Sequence, residues 1–297
     1  MPPYRKIWLI LSCCIAAHAT GQTSDKITSS DHSNPILAKL LDPSSSRIFI
    51  AAHRGGYESD KEDKAPENSL VNIENSQKKG YEIYETDIQR TKDGHFVIVH
   101  DPTIERETSG VGTVAEMTLL ELKNLHKRYR DRSLSPERVA TLKEFLDRGK
   151  GRTVFKADLK PGVSEHFPAI MKLVTDHKAL EGIIFRVPYR EANLFDQYQK
   201  QGGLLAKHSL MFRVTSRTQV DDIKERFNSS TIEIKLNKED PTNEKKLDLI
   251  RYASAKGFIV ETHAEGKEND WKKLIKAGVR IFHTTAPSKL KKMLRDN

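Results

Sequence analysis

Apolar residues fall along this chain in two alternating patterns. Short runs rich in β-branched residues occupy 48–52, 83–88, 153–159, 183–187, 210–214, 231–236, 258–262 and 279–283, and read as buried strands. Between or after them, at 69–79, 141–148, 164–178, 191–201, 217–227, 243–256, 269–277 and 288–294, apolar residues recur at helical spacing. Eight strand–helix units in one run imply parallel strands, and eight such units in about 250 residues are the size of a closed (β/α)8 TIM barrel. An open doubly wound sheet would need a Gly-rich phosphate-binding turn after its first strand, and that turn is missing.

Two features interrupt the alternation. Thr91-Lys92-Asp93-Gly94 is a tight turn joining the second strand to a further run at 96–99, which predicts an antiparallel extension. Residues 101–140 then form an insertion, with a helix announced by Thr118 as cap and Glu121 at the capping-box position.

The ends of the chain set its organisation. Arg5 and Lys6 precede an apolar run from Ile7 to Ala17, and Ala17-His18-Ala19 follows, the pattern of a secretory signal peptide at 1–19. A lipoprotein signal ending at Cys13 or Cys14 fits less well, because the apolar stretch before it is short. Residues 20–46, rich in Ser, Thr, Asp and Asn, read as a solvated lead-in with one short helical pattern at 35–41, and 47–297 as the barrel domain. The expectation is therefore an exported protein, periplasmic or secreted. Both cysteines lie in the first 19 residues, so the mature chain would hold itself without disulfides.

Composition narrows the class further. Hydrophobic residues make up 37% of the 297, enough for a core and too much for a disordered chain. No apolar run after the N-terminus reaches the roughly 18–20 residues a membrane helix needs. The formal charge is +9, and residues 123–152 alone carry ten Lys/Arg against four Asp/Glu, a net +6. A charge run is usually a solvated face, but this one can also draw in anions or touch an anionic envelope. Without interleaved aromatics or a recognition motif it does not read as a nucleic-acid surface.

In a parallel barrel the reacting groups sit at the C-terminal ends of strands. The first strand runs into His53-Arg54-Gly55-Gly56. The second carries Glu85 and Asp87, two apart and so on one face. The extension ends at His100-Asp101, and the third strand carries Asp158 and Lys160. Carboxylates at 85, 87 and 158 would repel one another unless a cation neutralised them. Oxygen-only ligation suits a hard divalent ion, Ca²⁺ or Mg²⁺, rather than zinc. Two histidines can take and give protons, and Arg54 and Lys160 match phosphate oxygens. These are the parts needed to displace an alcohol from a phosphodiester. Of the other histidines, His32, His95, His126, His166, His177 and His208 read as structural, while His263 and His283 end strands seven and eight, where they can line the mouth.

The stretches Ala52-His53-Arg54-Gly55-Gly56, Ala65-Pro66-Glu67-Asn68-Ser69, Glu85-Thr86-Asp87-Ile88-Gln89-Arg90-Thr91-Lys92-Asp93-Gly94 and Val99-His100-Asp101-Pro102-Thr103 resemble the glycerophosphodiester phosphodiesterase family. Arg106-Glu107-Thr108-Ser109-Gly110-Val111-Gly112 and Met117-Thr118-Leu119-Leu120-Glu121-Leu122 continue the likeness. The resemblance implies His53 as proton acceptor, His100 as proton donor, Glu85, Asp87 and Asp158 as metal ligands, and Arg54 and Lys160 on the phosphate. Glu67 would be an additional site residue. The implied reaction is metal-dependent hydrolysis of a small glycerophosphodiester to an alcohol and sn-glycerol 3-phosphate. A larger diester, such as a lysophospholipid or a glycerophosphate envelope polymer, is the alternative substrate; a non-catalytic diester-binding protein is the alternative class.

The chain also departs from the family pattern. Asp158-Leu159-Lys160 stands where the family usually has Glu-x-Lys. Glu261-Thr262-His263-Ala264 replaces Trp-Thr-x-Asn, and Thr284-Thr285-Ala286-Pro287 lacks the usual acid. Those last two changes fall on the alcohol side of the site.

Overall fold

The computed structural model describes residues 34–296 apart from 43, 58–63, 204, 206–208, 238 and 266. The segment expected to be a signal peptide and the lead-in as far as residue 33 lie outside the described residues. The chain opens with α1 (Pro35–Leu41), β1 (Phe49–Ala52), α2 (Leu70–Lys78) and β2 (Ile83–Arg90), which turns back into β3 (Phe96–Ile98). Next come α3 (Leu119–Lys123) and the hairpin β4 (His126–Arg128) and β5 (Leu134–Arg138). A regular alternation follows: α4 (Leu142–Gly149), β6 (Val154–Leu159), α5 (Phe167–Asp176), β7 (Ile183–Pro188), α6 (Ala192–Lys200) and β8 (Leu210–Val214). It runs on through α7 (Arg217–Arg226), β9 (Thr231–Ile234), α8 (Glu244–Ala255), β10 (Ile259–His263), α9 (Glu268–Ala277), β11 (Val279–Thr284) and α10 (Pro287–Arg295).

Eight strands pair in parallel in the order β1-β2-β6-β7-β8-β9-β10-β11, and β11 returns to β1, closing the (β/α)8 barrel expected from the sequence. The antiparallel extension is also present, with Ile88 opposite Ile98 and Arg90 opposite Phe96. Thr118 caps α3 with Glu121 reciprocating, the capping box the spacing predicted. The β4–β5 hairpin is a finding that the hydrophobic pattern did not foreshadow.

Side-chain alternation decides what fills the barrel. Phe49, Ile83, Val154, Ile184, Met211, Ile259 and Ile281 point inward and pack as one buried apolar layer. Leu37 and Leu40 of α1 join that layer and plug the barrel's N-terminal end. Asn34 caps α1 and anchors it, its amide donating to the Thr153 carbonyl at 3.0 Å. The last part of the lead-in is therefore buried structure rather than solvated chain, because an open barrel end would expose these aliphatic side chains to water. Two residues further along, most inward faces change character: Glu85, Lys156, Arg186, Arg213, Glu261 and His283 follow apolar positions, and Glu233 follows Thr231. One end of the barrel is thus greasy and closed, the other charged. The outward-facing residues, among them Tyr84, Phe155, Phe185, Phe212 and Phe282, pack beneath the helices.

Candidate active site

The turn after β1 is built around unusual backbone. His53–Gly55 forms one 3-10 turn in which Arg54 has φ +46°, and Gly55 and Gly56 follow at +83° and +75°. A Cβ on Gly55 would overlap Tyr84 and Asn72, so only glycine fits there. The left-handed conformation of Arg54 costs on the order of 1–3 kcal/mol and is held by its surroundings. Its N–H donates to Glu85 Oε2 at 3.0 Å, and Asn72 Nδ2 donates to its carbonyl at 3.1 Å. The strain presents His53 and the Arg54 guanidinium to the acidic pair on β2.

Glu67 ties that turn to the insertion. It accepts Arg54 Nη1 at 3.0 Å and a bidentate pair from Arg106, Nη2 at 2.7 Å and Nη1 at 2.8 Å. Burial works to raise its pKa, yet the Arg106 hydrogen bonds and the charges of Arg54 and Arg106 prevail and hold it at about 2. Arg106 also bonds Asp101, and Asp101 Oδ1 lies 2.6 Å from His100 Nδ1. A carboxylate on Nδ1 orients the ring and leaves Nε2 for chemistry. Beneath them, Glu107 Oε1 accepts the backbone N–H groups of His100 and Asp101 at 2.9 and 3.0 Å. Glu107 is buried against Lys127, 3.4 Å away, and burial pushes it up to about 7.

Of the three carboxylates expected to crowd, Asp87 and Asp158 are each given a cation by the chain itself. Asp87 Oδ1 lies 2.6 Å from Lys160 Nζ, and its Oδ2 accepts Asn68 Nδ2 at 2.9 Å. Asp158 pairs with Arg186 at 2.6 Å and Lys160 at 3.3 Å; burial raises it against their pull. Arg186 also holds Glu233, Nε to Oε2 at 2.8 Å. Lys156, fully buried, contacts Glu261 closely and Glu233 at 3.4 Å; burial disfavours its charge, but these carboxylates win and keep it ionised.

His53, Glu85, Asp87, Arg54 and Lys160 thus converge on the charged end of the barrel, with Asp158 linked through Lys160. His100 joins through Asp101, Arg106 and Glu67 rather than by direct contact with the acidic pair. By distance, two groups could hold a metal ion among the described residues: His53, Glu85 and His283, and His100, Asp101 and Glu107, each with ligand atoms within 4.8 Å of one another. Of the three expected ligands only Glu85 falls in such a group; Asp87 and Asp158 are paired instead with Lys160 and Arg186. Reading strand ends and motifs alone leaves out Asp101, Arg106, Lys156, Arg186 and Glu233. The signal that could have found Lys156 and Arg186 is their spacing, each two residues beyond an inward aliphatic side chain. Glu261 stands where the family pattern has tryptophan, and two residues on, His263 stacks with His283 of β11, centroids 4.3 Å apart and planes inclined by 20°.

A closed parallel barrel with histidines, cations and carboxylates gathered at its C-terminal mouth defines a site class suited to phosphoester chemistry. The sequence profile of the glycerophosphoryl diester phosphodiesterase family matches residues 53–289, and the chain belongs to that family. A glycerophosphodiester phosphodiesterase of Bacillus subtilis (strain 168) is 28% identical over 271 residues, 84% of this chain and 86% of that protein. Mouse glycerophosphodiester phosphodiesterase 1 is 39% identical over 103 residues, covering 34% of this chain and 30% of its own length. Among solved structures, a glycerophosphoryl diester phosphodiesterase from Parabacteroides distasonis superposes with a TM-score of 0.72 at 21% identity, covering 88% of this chain and 92% of that one. An Oleispira antarctica phosphodiesterase, solved with the product sn-glycerol-3-phosphate, gives 0.70 at 20% identity, covering 85% and 99%.

Proposed function

We propose that this chain hydrolyses glycerophosphodiesters to an alcohol and sn-glycerol 3-phosphate. The observation that carries the reading is the convergence of His53, Arg54, Glu85, Asp87 and Lys160 at one barrel mouth, in a chain whose family is established over 53–289. His53 takes the proton of the attacking water. His100, oriented by Asp101, returns a proton to the departing alcohol oxygen. Arg54 and Lys160 hold the phosphate oxygens, and the left-handed turn keeps Arg54 aimed at them. Glu67 fixes Arg54 against Arg106 and so couples the phosphate side to the insertion that carries His100.

A divalent cation, Ca²⁺ or Mg²⁺, would be held by Glu85 with Asp87 and Asp158, and when bound it would offset the phosphate's negative charge. For Asp87 and Asp158 to serve, Lys160 must turn from them toward the substrate, an exchange that phosphate binding favours by supplying a new anion. Export after removal of 1–19 completes the reading.

A larger, polyanionic diester is a second reading, favoured by one observation. A cavity of about 110 Å³ beside Glu67 is lined by Tyr57, Arg106, Arg128, Tyr129 and Arg132. This is where the basic segment of the insertion meets the mouth.

The test is turnover of glycerophosphocholine by purified protein, with and without a strong chelator, and by His53→Ala and His100→Ala variants. Each variant is expected to lose about 10²–10⁴ in turnover. Full activity in both variants, or none in the native protein with any divalent ion, would overturn the reading.

A further inference from the structure

His283 is a residue for which the family pattern gives no role. It sits inward on β11, its side chain 10% exposed, its ring centroid 5.1 Å from that of His53. His263 stacks on its outer face and is itself anchored, Nε2 to Glu265 Oε1 at 2.7 Å.

The two ring nitrogens of His283 meet different partners. Nδ1 lies 3.4 Å from Lys156 Nζ, and Nε2 lies 3.3 Å from Glu85 Oε2. An ammonium has only protons to offer, so Nδ1 must accept, and a neutral imidazole that accepts at Nδ1 carries its hydrogen on Nε2. That N–H is directed toward the Glu85 and His53 side of the mouth. It makes no hydrogen bond of acceptable geometry, although Glu85 Oε2 lies 3.3 Å away. Buried donors in native proteins have partners, and an orphan at a mouth calls for one.

The neighbouring donors are largely committed to carboxylates. Arg54 Nη1 is on Glu67, Lys160 on Asp87, and Arg186 on Asp158 and Glu233. Arg54 Nε is a second buried donor without a hydrogen bond, 3.8 Å from Asp87 Oδ2. Two N–H groups thus face the Glu85–Asp87 pair from neighbouring elements, β11 and the turn after β1.

We infer that His283 Nε2–H and Arg54 Nε–H together receive a phosphoryl oxygen of the substrate, with Lys156 as the positioning residue that fixes the His283 tautomer. The inference rests on the phosphodiesterase reading. It also separates His283 from the metal: a nitrogen that carries its proton has no lone pair for an ion, although distance alone would admit it.

The test uses the full chain, ¹⁵N-labelled, with sn-glycerol 3-phosphate as probe. Imidazole ¹⁵N–¹H spectra of native protein, with His283 assigned by its loss in His283→Phe, should show the Nε2–H tautomer and a shift of that signal on adding the probe. His283→Phe should weaken sn-glycerol 3-phosphate binding about 10- to 100-fold while bound metal per chain stays the same. An Nδ1–H tautomer, or loss of metal in the variant, would make His283 a ligand and overturn the inference. Native protein that binds the probe no better than His283→Phe overturns this assignment alone. Native protein that neither binds it nor turns over glycerophosphocholine overturns the functional reading as well. Should His283→Phe fold poorly, His283→Gln supplies the assignment, and the tautomer in native protein decides.

Discussion

Asp101→Asn changes one atom and one charge at the point where the insertion meets the barrel mouth. Asp101 Oδ1 lies 2.6 Å from His100 Nδ1, and the other oxygen takes Arg106 Nε. With a carboxylate there, the imidazolium that gives up its proton is oriented and paired through a charge-assisted hydrogen bond. The amide keeps the shape but accepts weakly, and can turn its own N–H toward Nδ1. Losing such a bond is worth about 1.5–3 kcal/mol, which at 1.36 kcal/mol per decade is about 10- to 150-fold in rate. Arg106 retains its bidentate grip on Glu67, so the fold should move little. The assay is kcat on two diesters of glycerol 3-phosphate, one with choline and one with p-nitrophenol. Choline is a poor leaving group that needs the proton, whereas p-nitrophenolate departs without it. The loss should fall on glycerophosphocholine, with the p-nitrophenyl diester within about 3-fold of the native enzyme. Equal losses on both substrates, or none on glycerophosphocholine, would refute the pairing of Asp101 with a proton-donating His100.

Three further outcomes are expected. Leu40→Ala should open the barrel plug and cost about 2–5 kcal/mol in urea unfolding, with kcat per folded molecule unchanged; a cost under about 0.5 kcal/mol would mean that α1 is not integral. Glu67, held at about 2 against an ordinary 4.5, lends stability that is complete above about pH 4.5 and is lost as pH falls toward 2; Glu67→Gln should flatten that part of the acid-unfolding profile, and an unchanged slope would contradict the charge pairing. Glu85→Gln should lower the divalent metal retained after dialysis, read by elemental analysis, whereas retention at the native level would remove Glu85 from the ligand set.

Much of the barrel is legible because each strand is a run of β-branched residues and each helix an amphipathic stretch, down to the turn at Thr91-Lys92-Asp93-Gly94 that starts the β2–β3 extension. The β4–β5 hairpin is not, since His126–Arg128 and Leu134–Arg138 lack apolar alternation and pack around the buried Lys127–Glu107 pair instead. Nor does a seven-residue helix announce that its Leu37 and Leu40 close a barrel end 40 or more residues away in sequence from most of the strands they touch. At the site, local spacing reveals His53, Glu85, Asp87, Asp158 and Lys160. It does not reveal which cation meets which carboxylate. Arg186 reaches both Asp158 and Glu233, and Lys156 reaches Glu261, contacts set by neighbouring or opposite strands of a closed sheet. The carboxylate crowding expected from sequence is relieved for that reason.

The account's central claim is the identity of the bond broken, and ³¹P NMR of a glycerophosphocholine digest reads it directly. The expected spectrum shows the diester resonance replaced by sn-glycerol 3-phosphate alone, with choline released in equal amount. A phosphocholine resonance with free glycerol, or an undiminished diester signal in the presence of Ca²⁺ and of Mg²⁺, would contradict it.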